Sequence, residues 1–388
     1  VIDAALGRRV IVCCGAGGVG KTTVSAALGL ELARRGRRSA VITIDPARRL
    51  ADALGMAGLG DEPMEASRDA LASAGVPAAG RLWALQLDAK ATFDRLVERY
   101  APDEQAREQI LANRVYQHLS GAVAGSQEYM AVERLHELLD DDRFEHIVLD
   151  TPPAENALDF LDAPERITRF VGGKALRTLT APADGPAWLG QRALAAGTSA
   201  VMAVLRRVTG AELLREIGEF LSSFDGMYTG FAERAEAIKE LLTSDDARFL
   251  VVAAPEVEPA LAAMTLVRRL QADGFPLAGT VLNRVHRLPP AAPHITDLTE
   301  PLSMAGSSDP PVLAAAVLDS LADTRAVAVR DLDLSEALAR AAGEPPAAVV
   351  PAFTREPVDV AGLARVASAL ADSDSDSATH RWSIASFE

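Results

Sequence analysis

The chain is poor in cysteine, short of positive charge and without a long apolar run. Its only two cysteines, Cys13 and Cys14, sit side by side in an apolar stretch. That placement excludes a disulfide framework and a CxxC metal site, and reads as two small side chains of a buried strand. Thirty-nine basic against 54 acidic side chains leave a formal net charge of −15. This balance opposes non-specific contact with nucleic acid phosphates or anionic lipid headgroups, so neither is an expected partner. The longest uncharged apolar-rich stretch, "ALAAGTSAVMAVL" from Ala193, is too short to cross a bilayer, and no N-terminal signal peptide is visible. The expected compartment is the cytoplasm. A first residue of Val1 rather than methionine leaves room for an upstream segment. There is no internal repeat.

What is present is an alternation. Short apolar runs lie near Val10, Val41, Trp83, Val148, Val251, Val281 and Val349, most of them separated by helical patterns. Runs of this length without clean alternation fit strands covered on both faces, and the order predicts an α/β fold with a doubly wound, mostly parallel sheet. Two regions carry helical pattern only. In the first, Phe93, Leu96, Val97 and Tyr100 fall on one helical stripe. In the second, Leu213, Leu214, Ile217, Phe220 and Leu221 make one stripe, and Phe231, Ala235, Ile238 and Leu242 another. The expected organisation is a core over 1–88, 143–154 and 247–370, with helical inserts over 89–142 and 155–246 forming one subdomain. Either helix-on-helix packing or a groove for something apolar suits those stripes. A proline-rich surface loop is expected from His286 to Pro311, and a disordered acidic tail over 371–388.

Chemistry concentrates in "VIVCCGAGGVGKTTVSAAL" from Val10. Gly15 to Thr22 satisfies the G-x-x-x-x-G-K-[ST] pattern between a strand and a helix, the context in which glycines let backbone N–H groups cradle a phosphate. The nucleotide-binding set is therefore Gly15, Gly17, Gly18, Val19, Gly20, Lys21, Thr22 and Thr23. Lys21 is expected to neutralise the β- and γ-phosphates of ATP, and the Thr22 hydroxyl to ligate Mg²⁺. Asp150, ending the run "HIVLD", is placed to hold the hydrated metal, or else to cap the helix that follows. Asp45 ends "VITID" and either orients or deprotonates an attacking water or simply makes an Asp-Pro turn.

In this order, the loop, "TIDPARRLADALG" from Thr43, "DTPPAENALDFL" from Asp150 and "VLNRV" from Val281 resemble the ArsA-type ATPases. That family groups the arsenite-efflux ATPase subunit with the targeting ATPases for tail-anchored membrane proteins. The loop is similar to that of one member of the paired ArsA-like proteins of high-GC Gram-positive bacteria. The resemblance implies a P-loop NTPase of the deviant Walker A type, with Asp45 in switch I and Asp150 opening switch II. It implies that Asn283 reads the adenine edge, with Val350 and Pro351 against the base; the competing reading of Asn283 is a cap on the turn after its strand. It further implies an ATP-hydrolysing dimer whose nucleotide cycle opens and closes a helical subdomain that binds a client, such as a membrane protein, or a membrane partner, in the cytoplasm or peripheral at the membrane through that partner. A positioning or partitioning ATPase and a nucleotide-binding scaffold are the alternatives. No arsenite site is expected, because the helical region has no cysteine to offer a soft metalloid.

Ala16 departs from the family, which typically places there a lysine that crosses to the partner's nucleotide. Two copies of this chain would lack that trans-acting charge. The expectation is a heterodimer with a lysine-bearing paralogous ATPase subunit, which would complete the site held here; a homodimer in which Arg48 or Arg49 substitutes is the alternative.

Overall fold

The computed structural model describes residues 1–101, 103–113, 116–117, 126–152, 228–343 and 346–372. The part of the second helical insert before residue 228, with its stripe from Leu213 to Leu221 and the apolar stretch from Ala193, lies outside these residues. So do residues 373–388 of the acidic tail and the side chains of Phe231 and Ala235.

The chain opens with α1 (Ile2–Leu6), β1 (Val10–Cys14), α2 (Lys21–Arg34) and β2 (Arg38–Thr43). Next come α3 (Arg49–Ala53), β3 (Met64–Glu65), α4 (Arg68–Ser73) and β4 (Arg81–Gln86). Helices α5 (Ala89–Tyr100), α6 (Glu104–Ala112) and α7 (Ser126–Leu139) then lead to β5 (His146–Asp150). Beyond it lie α8 (Tyr228–Thr243), β6 (Ala247–Ala253), α9 (Val257–Ala272) and β7 (Leu277–Val285). The described part ends with α10 (Ile295–Met304), α11 (Pro310–Ala342), β8 (Ala348–Pro351) and α12 (Val360–Asp372).

The strands form one sheet in the order β3-β4-β2-β5-β1-β6-β7-β8. Every neighbouring pair is parallel except β3 with β4. The seven apolar runs of the sequence are β1, β2 and β4 to β8, so the doubly wound α/β reading holds. Two-residue β3 adds an antiparallel edge strand too short to leave a pattern. Strands β1 and β5 are buried at every position because helices cover both faces. Ile11 and Cys13 point into the layer under α2 and α12, with Leu28, Leu32, Leu363 and Leu370. Val10, Val12 and Cys14 point into the opposite layer, with Leu135 of α7, Leu242 of α8, Leu270 of α9 and Leu338 of α11.

On α5, Leu96 and Val97 are buried and Phe93 and Tyr100 half-buried, so the apolar stripe faces inward. A buried ionic network ties α5 and α7 to the segment after α3. Arg95 meets Asp61 at 2.5 Å, and Arg134 donates to the Asp61 carbonyl at 2.7 Å and to Glu137 at 2.7 Å. Asp61 and Arg134 side chains are each 8% exposed.

The stretch expected to be a loop from His286 contains helix. Asp297 accepts from the His294 N–H at 3.1 Å and caps α10, and Asp309 accepts from the Val312 N–H at 3.3 Å with Pro310 at the first position of α11. Helix α10 has no buried residue and carries Pro301 inside it, which is why no periodicity announced it. Helix α12 runs to Asp372, two residues into the segment read as tail. Among the described residues, no helix is long and apolar enough to cross a membrane.

Candidate nucleotide site

Parallel order decides where the chemistry meets. Strand β5 lies between β2 and β1, and the register sets Asp150 opposite both Cys13, just before the glycine loop, and Thr43 at the end of β2. The loop after β1 ends at Gly20, which caps α2 with φ 90° and offers no side chain to the helix's first N–H groups. Those donors therefore face outward at the positive end of the helix dipole, an anion-binding arrangement. Only glycine serves at position 20. A Cβ there would stand 2.3 Å from Asn283 Nδ2, in a backbone conformation side chains rarely adopt.

Lys21 is 8% exposed and folds back across the loop, donating to the carbonyls of Gly15 at 3.1 Å and Ala16 at 2.9 Å. Burial pushes its pKa down, opposed chiefly by the charge of Asp150. Asp150 is 1% exposed. Its Oδ2 accepts from Thr22 Oγ1 at 2.7 Å and Thr43 Oγ1 at 2.9 Å, and its Oδ1 lies 3.5 Å from Ser25 Oγ. These partners are neutral hydroxyls, and burial pushes the carboxyl up to about 6. A buried carboxylate hydrogen-bonded to hydroxyls, beside an uncapped helix end, is a hard-oxygen donor set that fits Mg²⁺.

Asp45 lies two residues past β2, and its Oδ1 accepts from the Ala47 N–H at 2.9 Å. Arg49 pairs with its Oδ2 at 3.5 Å. Thr43, not singled out in the sequence, joins the two acids: its hydroxyl donates to Asp150 and accepts from the Asp45 N–H at 3.2 Å. Nothing marks such a threonine in a strand-like run.

A cavity of about 780 Å³ runs along this surface. Gly17, Gly18, Gly20, Lys21, Thr22 and Thr23 line it with Asp45, Asn283 and Pro351. Gly15, Val19 and Val350 are not in its wall. Gly15 is pressed against β6, where a Cβ would come within 2.1 Å of the Val252 carbonyl, and the Val19 side chain is buried. Burial alternates along β8, so Val350 is in the core at 1% exposure while Pro351 turns to the cavity. Val350 therefore has no contact surface for a base. Asn283 is 6% exposed and donates from Nδ2 to the Val19 carbonyl at 2.8 Å, bracing the loop. Ala16 is half-buried against the layer under α2. Arg48 turns away to the Ala57 carbonyl, whereas Arg49 lines the cavity.

Among the residues of this wall that sequence reasoning missed are Arg284 and His286. Arg284 has φ 63°, the one positive φ outside glycine among the described residues, a conformation costing on the order of 1 kcal/mol or more. It donates to the Gly18 carbonyl at 3.1 Å. His286 is held by the fully buried Asp331 of α11, whose Oδ2 is 2.8 Å from Nδ1 and accepts from the His286 N–H at 2.9 Å.

Residues 8–292 match the anion-transporting ATPase family. The chain belongs to that family. The matched span holds the loop, Asp45, Asp150 and Asn283, and ends before Pro351. Among curated relatives, the ATPase GET3 of Malassezia globosa is 30% identical over 171 residues, 43% of this chain and 47% of that protein. A putative arsenical pump-driving ATPase of Halobacterium salinarum is 29% identical over 180 residues, 46% of this chain and 27% of the other. The ATPase ARSA1 of Chlamydomonas reinhardtii is 24% identical over 298 residues, 72% of this chain and 35% of its own length. The chain thus spans less than half the length of each of these family members.

Proposed function

We propose that this chain binds Mg-ATP in the cavity and hydrolyses it to ADP and phosphate, using the cycle as a switch in a dimer. The reading rests on one observation: a fully buried Asp150 bonded to Thr22 and Thr43 under an uncapped helix that begins with Lys21. Thr22, and Asp150 through a water, would hold Mg²⁺, which when bound neutralises charge on the phosphates. Lys21 would exchange its two loop carbonyls for phosphate oxygens, a stronger, charge-assisted pairing. Asp45, on the cavity wall, would orient the attacking water. Asn283 has its Nδ2 committed to Val19, which leaves Oδ1 to accept from the adenine amino group, with Pro351 against the ring. Loss of the γ-phosphate would release the segments carrying Asp45 and Asp150 together, because Thr43 bonds to both.

The dimer of this proposal pairs the chain with a paralogous subunit carrying lysine at the position of Ala16. Its helical subdomain would take a membrane-protein client, and the protein would work in the cytoplasm, reaching a membrane through its partner. Ala16 supports a partner other than a second copy, since a second copy would bring the same uncharged residue toward the phosphates held here. Calorimetry with ATP, with and without Mg²⁺, tests the site; absence of binding in both ends the reading. Turnover of this chain alone, the paralogue alone and the mixture tests the pairing. The mixture is expected to exceed the sum of the two, and a simple sum would leave a homodimer.

A further inference from the structure

Successive residues of a regular strand face opposite sides of a sheet. Asn283 and Arg284 are successive, yet both donate to the glycine loop, one to the Val19 carbonyl at 2.8 Å and the other to the Gly18 carbonyl at 3.1 Å. A bulge makes this geometry. In the pairing of β7 with β8, Asn283 opposes Val350 and Val285 opposes Pro351, so Arg284 is the extra residue, at φ 63°. Bulges beside active sites re-aim a side chain, and here the one re-aimed is a cation in the cavity wall. The guanidinium has five N–H donors, of which the bond to Gly18 uses one. Arg49, also in the wall, is paired with Asp45, whereas Arg284 has no carboxylate partner among the described residues.

We propose that Arg284 is a nucleotide-binding residue that pins the loop through Gly18 and meets the polyphosphate with its remaining N–H groups. It brings a positive charge from within the chain to the chain's own phosphates, separate from any charge that a partner lends. This rests on the cavity being an ATP site, and it adds a phosphate ligand that no other feature of the loop predicts. A strand that bent only to brace the loop would be served by a neutral donor, as Asn283 already shows.

The test compares full-length native protein with Arg284→Gly and Arg284→Lys, using displacement of a fluorescent ATP analogue by ATP and by adenosine. Glycine adopts a positive φ freely, so Arg284→Gly keeps the bulge while removing the guanidinium. ATP is expected to bind Arg284→Gly about tenfold more weakly, with adenosine changed by less than about twofold and Arg284→Lys intermediate. Unchanged ATP affinity in Arg284→Gly overturns the proposal, and so does an equal loss for ATP and adenosine, which would mean that the site as a whole is disturbed, or an Arg284→Lys that binds ATP no better than Arg284→Gly, which would make Arg284 a brace only. A native protein that binds no ATP overturns the site reading itself and this proposal with it.

Discussion

Asp150 is a carboxyl that burial holds well above its ordinary range. Its carboxyl, ordinarily at 3.8, is raised to about 6 by burial. An acid with a raised folded-state value contributes stability that is present below 3.8 and lost as pH rises through about 6. At neutral pH the free protein therefore carries a penalty of roughly 3 kcal/mol, which a bound cation would relieve. Asp150→Asn is expected to raise the denaturation midpoint of the nucleotide-free protein at neutral pH and to remove the Mg²⁺ dependence of ATP binding. In the native protein, Mg-ATP affinity is expected to fall as pH drops through about 6, where protons compete with the metal; calorimetry on either side of that value would detect it. For Asp45→Asn, kcat should drop by about a hundredfold or more, with ATP affinity little changed. A variant turning over at the native rate would leave Asp45 as a turn residue.

At the scale of elements, the glycine loop and β7 are one unit. Gly20→Ala forces a Cβ to within 2.3 Å of Asn283 Nδ2 and strains the φ 90° backbone as well. Nucleotide binding should be lost in Gly20→Ala, and adding Asn283→Ala should restore only part of it, because the strained φ remains and the amide facing the base is gone; full restoration would make the steric clash the sole cause and remove Asn283 from base recognition. This coupling also explains what was legible in the sequence. Seven strands and the loop declared themselves through apolar runs and a glycine pattern, both of which are local. Helix α10 did not, since it buries nothing and its signals are a cap at Asp297 and a tolerated Pro301. Nor did Val350, whose place in the core follows from the two-residue alternation of β8 and not from its neighbour Pro351. Thr43 and Arg284 gain their roles from register and from a bulge, properties of paired strands that a single run of letters does not contain.

Across the whole molecule, the helices before β5 are fastened to the sheet's edge by charge as well as by packing. Arg134, 8% exposed, bonds Asp61 and Glu137, and the Asp61 carboxylate it shares with Arg95 is equally buried. Arg134→Ala leaves that carboxylate with a single cation, and destabilisation of about 3 kcal/mol is expected in a denaturant titration. A shift within error would mean that water replaces the arginine. The same fold seals both native thiols: Cys13 is 0% and Cys14 3% exposed, and burial holds Cys13 up at about 12 and raises Cys14 further. Maleimide dyes should pass over them, so the native sequence already serves as a blank background on which one cysteine, engineered into an outer helix, would take a spectroscopic label and report any distance change when ATP is added.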